Sequence, residues 1–258
     1  MRGSSTDATG VRSIDYRICD AYTDPVGRCE QWSVERSARM PHCQWCLPLG
    51  DNLPPINDLP MLRNGHVTFG SFNNPSKVNE RVIEVWAELL RAMPAARLLM
   101  VGVPVGQATE RMLRLFGSCG IGSERIDVRP RRPGDLYFLA FRDVDLALDP
   151  FPYNGGTTSL DSLAMGVPFV TLEGDRPAGR GGVSILMNLG LPEFIAAAPA
   201  QYIAVARQLT ESPDRLRALR WEMRERLSRS PLCDIVGYTR DLEELYRGMW
   251  RRWCSSGA

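Results

Sequence analysis

Asp145-Leu146-Ala147-Leu148-Asp149-Pro150-Phe151-Pro152-Tyr153-Asn154-Gly155-Gly156-Thr157-Thr158-Ser159-Leu160-Asp161 decides how the rest of the chain is read. An apolar strand, Val144 to Leu148, runs into a tight loop and then a helix start at Thr157. Gly155 and Gly156 remove side chains where a ligand must approach the backbone. The first amides of a helix lack internal partners, and with the helix dipole they form an anion site. Thr157 and Thr158 add hydroxyl donors, and Asn154 opens the loop. Asp161 lies one turn further in, on the same face as Thr157. A carboxylate there opposes a phosphate but accepts hydrogen bonds from sugar hydroxyls, a nucleotide ribose being the natural case. The same Thr158-x-x-Asp161 spacing also fits a capping box, which needs no ligand.

Strands and helices alternate on both sides of this segment. Upstream, Val67 to Phe72 reads as a strand. Val82, Val85, Trp86, Leu89, Leu90 and Met93 then recur at helical spacing behind a candidate N-cap, Asn79. Arg97 to Val101 is an apolar run suited to a strand buried on both faces. A helix over Thr109 to Cys119, a strand over Arg125 to Val128 and a short helix over Asp135 to Phe141 lead back to the opening segment. Downstream, Pro168 to Leu172 is a strand and Val183 to Leu189 a helix. Helices over Pro199 to Thr210, Pro213 to Arg229 and Ile235 to Trp253 follow. The last carries one apolar stripe: Ile235, Tyr238, Leu242, Leu245, Tyr246, Met249 and Trp253. This alternation predicts an α/β, doubly wound parallel sheet, whose ligands bind at the carboxyl ends of the strands. Residues 1–62 lack clean periodicity and end in the stiff Leu53-Pro54-Pro55-Ile56-Asn57-Asp58-Leu59-Pro60, so they read as a connecting or remnant segment ahead of a lobe over 63–258.

Composition narrows the function classes. The chain has 258 residues, 44% of them hydrophobic, enough for a full core. With Lys+Arg 31 against Asp+Glu 30, the balance argues against a broad nucleic-acid-binding surface. No apolar run approaches the roughly 20 residues that span a bilayer, and the polar, small-residue Met1 to Gly10 does not read as a signal peptide. Seven cysteines, odd in number and scattered, fit a reducing cytoplasm.

Lys77 is the second element of the candidate site and the chain's only lysine. Its loop follows the first strand of the lobe and so emerges on the same sheet edge as the Asn154 loop. An ammonium there neutralises a diphosphate as it departs; the plainer reading is a solvated surface lysine. Asp143-Val144-Asp145 resembles a D-x-D metal motif, but it precedes its strand and falls at the opposite edge. Cys43-Gln44-Trp45-Cys46 has no second pair for zinc, and Pro48 follows where a redox motif would open a helix. Neither a G-x-G-x-x-G fingerprint nor a Walker A loop is present. His42 and His66 do not support a hydrolase triad.

Taken together, several segments resemble the O-GlcNAc transferase/SPINDLY family, glycosyltransferase family 41. They are Gly70-Ser71-Phe72-Asn73-Asn74 with Lys77, Ala147 through Thr158, Met165-Gly166-Val167-Pro168, Gly174-Asp175-Arg176, Ser230-Pro231-Leu232-Cys233-Asp234 and Tyr246-Arg247-Gly248-Met249-Trp250. The similarity runs from about Ile14 to Trp253.

The resemblance implies the Rossmann-like C-terminal lobe of a GT-B glycosyltransferase. It implies UDP-GlcNAc or a related nucleotide sugar as donor, a protein Ser or Thr hydroxyl as acceptor, and no metal or other cofactor. Lys77 matches the family lysine at the diphosphate, Thr157 and Thr158 its phosphate-binding positions, and Asp161 its ribose-binding acid. Tyr137 stands where members often carry a His stacked on uracil, and Gly156 replaces a His found in some. The resemblance finds no tetratricopeptide repeats here, and of the family's N-terminal catalytic lobe only the tail, which Ile14-Asp15-Tyr16-Arg17 through Asp24-Pro25 resembles, so that 1–62 reads as a remnant of that lobe with a Pro-rich linker. Two readings follow: a transferase lobe, or a non-catalytic nucleotide-binding remnant or one half of a split enzyme with the other lobe on a separate chain.

Overall fold

The computed structural model describes residues 8–50 and 52–256; most of the polar Met1–Gly10 stretch lies outside them. The chain begins with β1 (Tyr16–Asp20) and β2 (Arg36–Met40), which pair in parallel as a separate two-stranded sheet. A short helix α1 (Pro60–Asn64) ends at Gly65, whose positive φ of 71° supplies the left-handed cap.

The lobe then follows as β3 (Thr68–Ser71), α2 (Glu80–Ala92), β4 (Arg97–Val101), α3 (Gln107–Ser118), β5 (Ile126–Arg129) and α4 (Asp135–Leu139). It continues through β6 (Leu146–Leu148), α5 (Thr157–Ala164), β7 (Phe169–Leu172), α6 (Gly181–Asn188), β8 (Ile195–Ala196), α7 (Pro199–Thr210), α8 (Pro213–Ser228) and α9 (Ile235–Ser255). The six strands stand in the order β5-β4-β3-β6-β7-β8, and every pair is parallel. The order in which successive strands are added therefore reverses between β3 and β6, which places the topological switch point there.

The core forms because the strands are apolar on both faces: Phe69, Leu98, Leu99, Leu146, Leu148, Phe169 and Val170 are all buried. Asn79 caps α2 as read from sequence, its side chain accepting from Val82 N–H at 3.1 Å. The apolar face of α2 buries Val82, Ile83, Val85, Trp86, Leu89 and Leu90.

The predicted strands and helices of the lobe fall within a few residues of those observed. β1, β2 and β8 were not expected: the first two contain arginines and the third has only two residues. The α9 stripe exists at helical spacing but buries no residue, with Tyr246 and Trp253 more than half exposed.

The segment ahead of the lobe is tied to it at several points. Ser184 Oγ donates to Asp20 Oδ2 at 2.8 Å, and Arg180 Nε to Tyr22 O at 2.7 Å. Arg220, fully buried, donates to Asn57 O, Asn57 Oδ1 and Val144 O. Cys43 and Leu59 join the core of the lobe.

Candidate functional site

Two loops meet at the switch point. One follows β3 and carries Asn73, Asn74 and Lys77; the other follows β6 and runs from Asp149 to Gly156. Three side chains lace them together. Asn79 Nδ2 donates to Phe151 O at 2.9 Å, Lys77 Nζ to Asn154 O at 2.7 Å, and Thr158 Oγ1 to Asn73 Oδ1 at 2.9 Å. They surround a cleft of about 600 Å³. Lys77, Tyr137, Asn154, Gly155, Gly156, Thr157, Thr158 and Asp161 all line it, so the structure brings together the residues of the candidate nucleotide site named from the sequence.

Helix α5 opens at Gly156, which offers no side chain to cap it. Ser159 N–H and Leu160 N–H both bond Gly156 O, so the helix's own bonding starts there. Gly156, Thr157 and Thr158, whose amides precede the first intrahelical bonds, line the cleft. The capping-box alternative for Thr158 and Asp161 is not realised. Thr158 already lies inside the helix, and its hydroxyl is spent on Asn73.

Gly155 has no room for a side chain: a Cβ would lie 2.1 Å from Ser159 Oγ and 2.9 Å from Asp149 Oδ1. At Gly181, the start of α6, a Cβ would stand 2.9 Å from Gly155 O. The close approach of the α6 start to the Gly155 carbonyl therefore depends on glycine at 181.

The Lys77 ammonium sits 4.1 Å from the centre of the Tyr153 ring as well as on Asn154 O. Burial lowers its pKa, and the Asp149 carboxylate opposes that shift. Asp149 itself is buried beneath the loop, accepting from Gly155 N–H at 2.6 Å and Thr171 Oγ1 at 2.8 Å. Burial pushes its carboxyl up to about 6 despite those bonds and the lysine.

At the other end of the cleft, Tyr137 OH donates to Asp161 Oδ2 at 2.9 Å. The Tyr137 ring stands edge-on to Phe72 and Phe141, with the Arg131 guanidinium 5.8 Å over it. Burial raises the Asp161 carboxyl, and the tyrosine bond and Arg131 hold it back.

Cleft residues that the sequence reading gave no role include Trp45, Asn73, Arg131 and Tyr153. Trp45 is the interior of the lone C-x-x-C, whose Cys43 is buried within 3.3 Å of Ser184 Oγ, its thiol pushed up to about 12 by burial. The motif is packing that delivers a tryptophan to the cleft wall. The D-x-D pair lies at the other end of β6. Asp145 accepts from Thr68 N–H and Met61 N–H, and Asp143 pairs with Arg129 at 2.6 Å. Among the described residues no helix is long and apolar enough to cross a membrane. Nor does any group of three or more His, Cys, Asp or Glu stand as a metal cluster among them.

A family model described as Glycosyl transferase family 41 matches residues 57–242. A probable UDP-N-acetylglucosamine--peptide N-acetylglucosaminyltransferase SPINDLY of Solanum lycopersicum is 39% identical over 251 residues, 96% of this chain and 27% of that protein. A UDP-N-acetylglucosamine--peptide N-acetylglucosaminyltransferase of Caenorhabditis elegans is 28% identical over 187 residues, 72% of this chain and 16% of that one. Among solved structures, an O-GlcNAc transferase mutant of Thermobaculum terrenum superposes with a TM-score of 0.88 at 32% identity, over 98% of this chain and 48% of that chain. A sucrose-phosphate synthase of Thermosynechococcus elongatus, 15% identical with a TM-score of 0.59 over 92% of this chain and 59% of that one, shares the fold alone. The chain spans about a quarter of the length of the curated relatives it matches.

Proposed function

The chain belongs to glycosyl transferase family 41, and from that premise we propose that it is the nucleotide-sugar-binding, Rossmann-like lobe of a GT-B peptide N-acetylglucosaminyltransferase. The observation that carries this reading is the cleft at the switch point, where the Lys77 ammonium and an uncapped helix start lie across one loop from each other.

In this reading the diphosphate of UDP-GlcNAc sits on the amides of Gly156, Thr157 and Thr158. Asp161 accepts from the ribose hydroxyls and Tyr137 packs against the base. An acceptor Ser or Thr hydroxyl attacks the anomeric carbon, the bond to the diphosphate oxygen breaks, and the acceptor proton passes to water, from which the departing diphosphate or bulk solvent takes it up. Lys77 and the helix amides stabilise the negative charge that collects on departing UDP, so the step calls for no metal. Transfer also needs an acceptor-side wall, which the family resemblance assigns to a second lobe on continuing or separate polypeptide. The β1–β2 pair supports a second lobe, because a parallel sheet of two strands is far from the buried, multi-stranded form such sheets take. The free thiols fit the cytoplasm as compartment.

Calorimetry on Lys77→Ala tests the core of the proposal. In a variant that still folds cooperatively, loss of the ammonium weakens UDP binding by roughly 30-fold or more; unchanged affinity removes Lys77 from the site. A thermal-shift panel of nucleoside diphosphates identifies the donor base, with a response to UDP and none to GDP expected.

A further inference from the structure

One peptide group in the cleft is gripped at both ends. The carbonyl of Asn154 accepts from Lys77 Nζ at 2.7 Å, and the amide of the same peptide unit, Gly155 N–H, donates to Asp149 Oδ1 at 2.6 Å. Asp149 is in turn fixed by its own surroundings. Its second oxygen accepts from Thr171 Oγ1, its N–H donates to Val170 O at 3.0 Å, and its carbonyl accepts from Tyr202 OH at 3.1 Å. Gly182 closes over it: a Cβ there would lie 2.7 Å from Asp149 Oδ2.

We propose that Asp149 is a positioning residue of the nucleotide-diphosphate site, which with Lys77 clamps the Asn154–Gly155 peptide and so decides which loop amides face the ligand. This rests on the reading of the cleft as such a site. The carboxylate turns Gly155 N–H inward and takes it out of ligand binding. The chain then leaves Asp149, and the next amides, Gly156, Thr157 and Thr158, are the ones presented at the helix start. The ammonium has three donors. With one held on Asn154 O, it is parked over the loop with two left for phosphoryl oxygens. A carboxylate this close to a diphosphate repels it, so its role is order rather than attraction. The order matters because a loop fixed before binding loses less freedom when the ligand arrives.

Asp149→Asn separates the two contributions. Asparagine keeps an oxygen for Gly155 N–H and offers an N–H to Thr171 Oγ1, which then accepts. Asp149→Ala removes both bonds. Two readouts apply to each protein: UDP affinity by calorimetry in EDTA, and hydrogen exchange of the Gly155 amide without ligand. The proposal expects Asp149→Ala to lose Gly155 protection and weaken UDP roughly tenfold or more, with Asp149→Asn restoring protection and affinity to within about threefold. It is overturned if folded Asp149→Ala binds UDP like wild type, or if folded Asp149→Asn keeps Gly155 protected yet loses UDP. Should Asp149→Ala not fold, the asparagine variant alone decides by the same criterion. A wild-type chain that ignores UDP overturns the nucleotide reading and this role with it, and is told apart because wild type itself is then silent.

Discussion

Asp145 and Asp149 stand at opposite ends of the same short strand, β6, and look alike by every local measure. Both are buried, both accept backbone N–H bonds, and burial pushes both carboxyls up to about 6. At the amino end, Asp145 holds Met61 N–H and Thr68 N–H and lies near the buried Arg220, so it pins the segment ahead of the lobe to the sheet. At the carboxyl end, Asp149 holds the glycine loop that lines the cleft. A displaced acidity is a common mark of functional sites, but here it reports burial at both ends. What separates the two roles is the sheet edge, because in a doubly wound sheet only the carboxyl edge opens onto a ligand crevice.

The sharpest break in the comparison is Asp145→Ala. It strands the buried Thr68 amide and the half-buried Met61 amide, at about 1–3 kcal/mol for a fully buried group, and should cost about 3 kcal/mol in all. Chemical denaturation should register that loss while UDP affinity of the folded fraction stays within twofold, about 0.4 kcal/mol. A matching loss of UDP affinity would mean that the two ends of β6 are coupled and the division by edge is wrong.

The next effect is pH dependence. A carboxyl raised from the ordinary aspartate range to about 6 favours folding in its neutral form. That contribution is complete below the ordinary range and is lost as pH rises through about 6. Asp149→Asn cannot ionise. Its stability relative to wild type should therefore improve between pH 4 and pH 7, by up to roughly 3 kcal/mol. Denaturation series at the two pH values give the difference; a gap that is flat or of opposite sign would show that Asp149 is ionised at little cost.

The smallest effect belongs to Asp161. Asp161→Asn replaces an acceptor that Tyr137 OH already engages, so UDP binding should weaken by about 1 kcal/mol, with pyrophosphate binding unchanged. Equal weakening for both ligands would move Asp161 from the ribose to the phosphates.

Most of the lobe was legible because its signals are local. β3, β4, β6 and β7 are short apolar runs, and Asn79 and the Gly155-Gly156-Thr157 start are punctuation that any such fold would use. Lys77 could be placed because the loops after successive parallel strands share one sheet edge. β1 and β2 were invisible because Arg17, Arg36 and Arg39 interrupt their apolar pattern. Arg17 is buried against Asp24 at 2.6 Å, a tertiary arrangement that periodicity does not reveal. Trp45 and Arg131 reach the cleft through long-range packing, whereas Asn73 stands in the same loop as Lys77. Asp149 was in plain view within the opening segment, but its role depends on Thr171 and Lys77, which no spacing rule links to it.

The account turns on the carboxyl edge of β6 holding a nucleoside diphosphate without metal. Titrating the wild-type chain with UDP by calorimetry, first in EDTA and then with magnesium, tests this most directly. Saturable one-to-one binding of equal strength in both buffers is the predicted result; binding that is absent, or that appears only with magnesium, would contradict it.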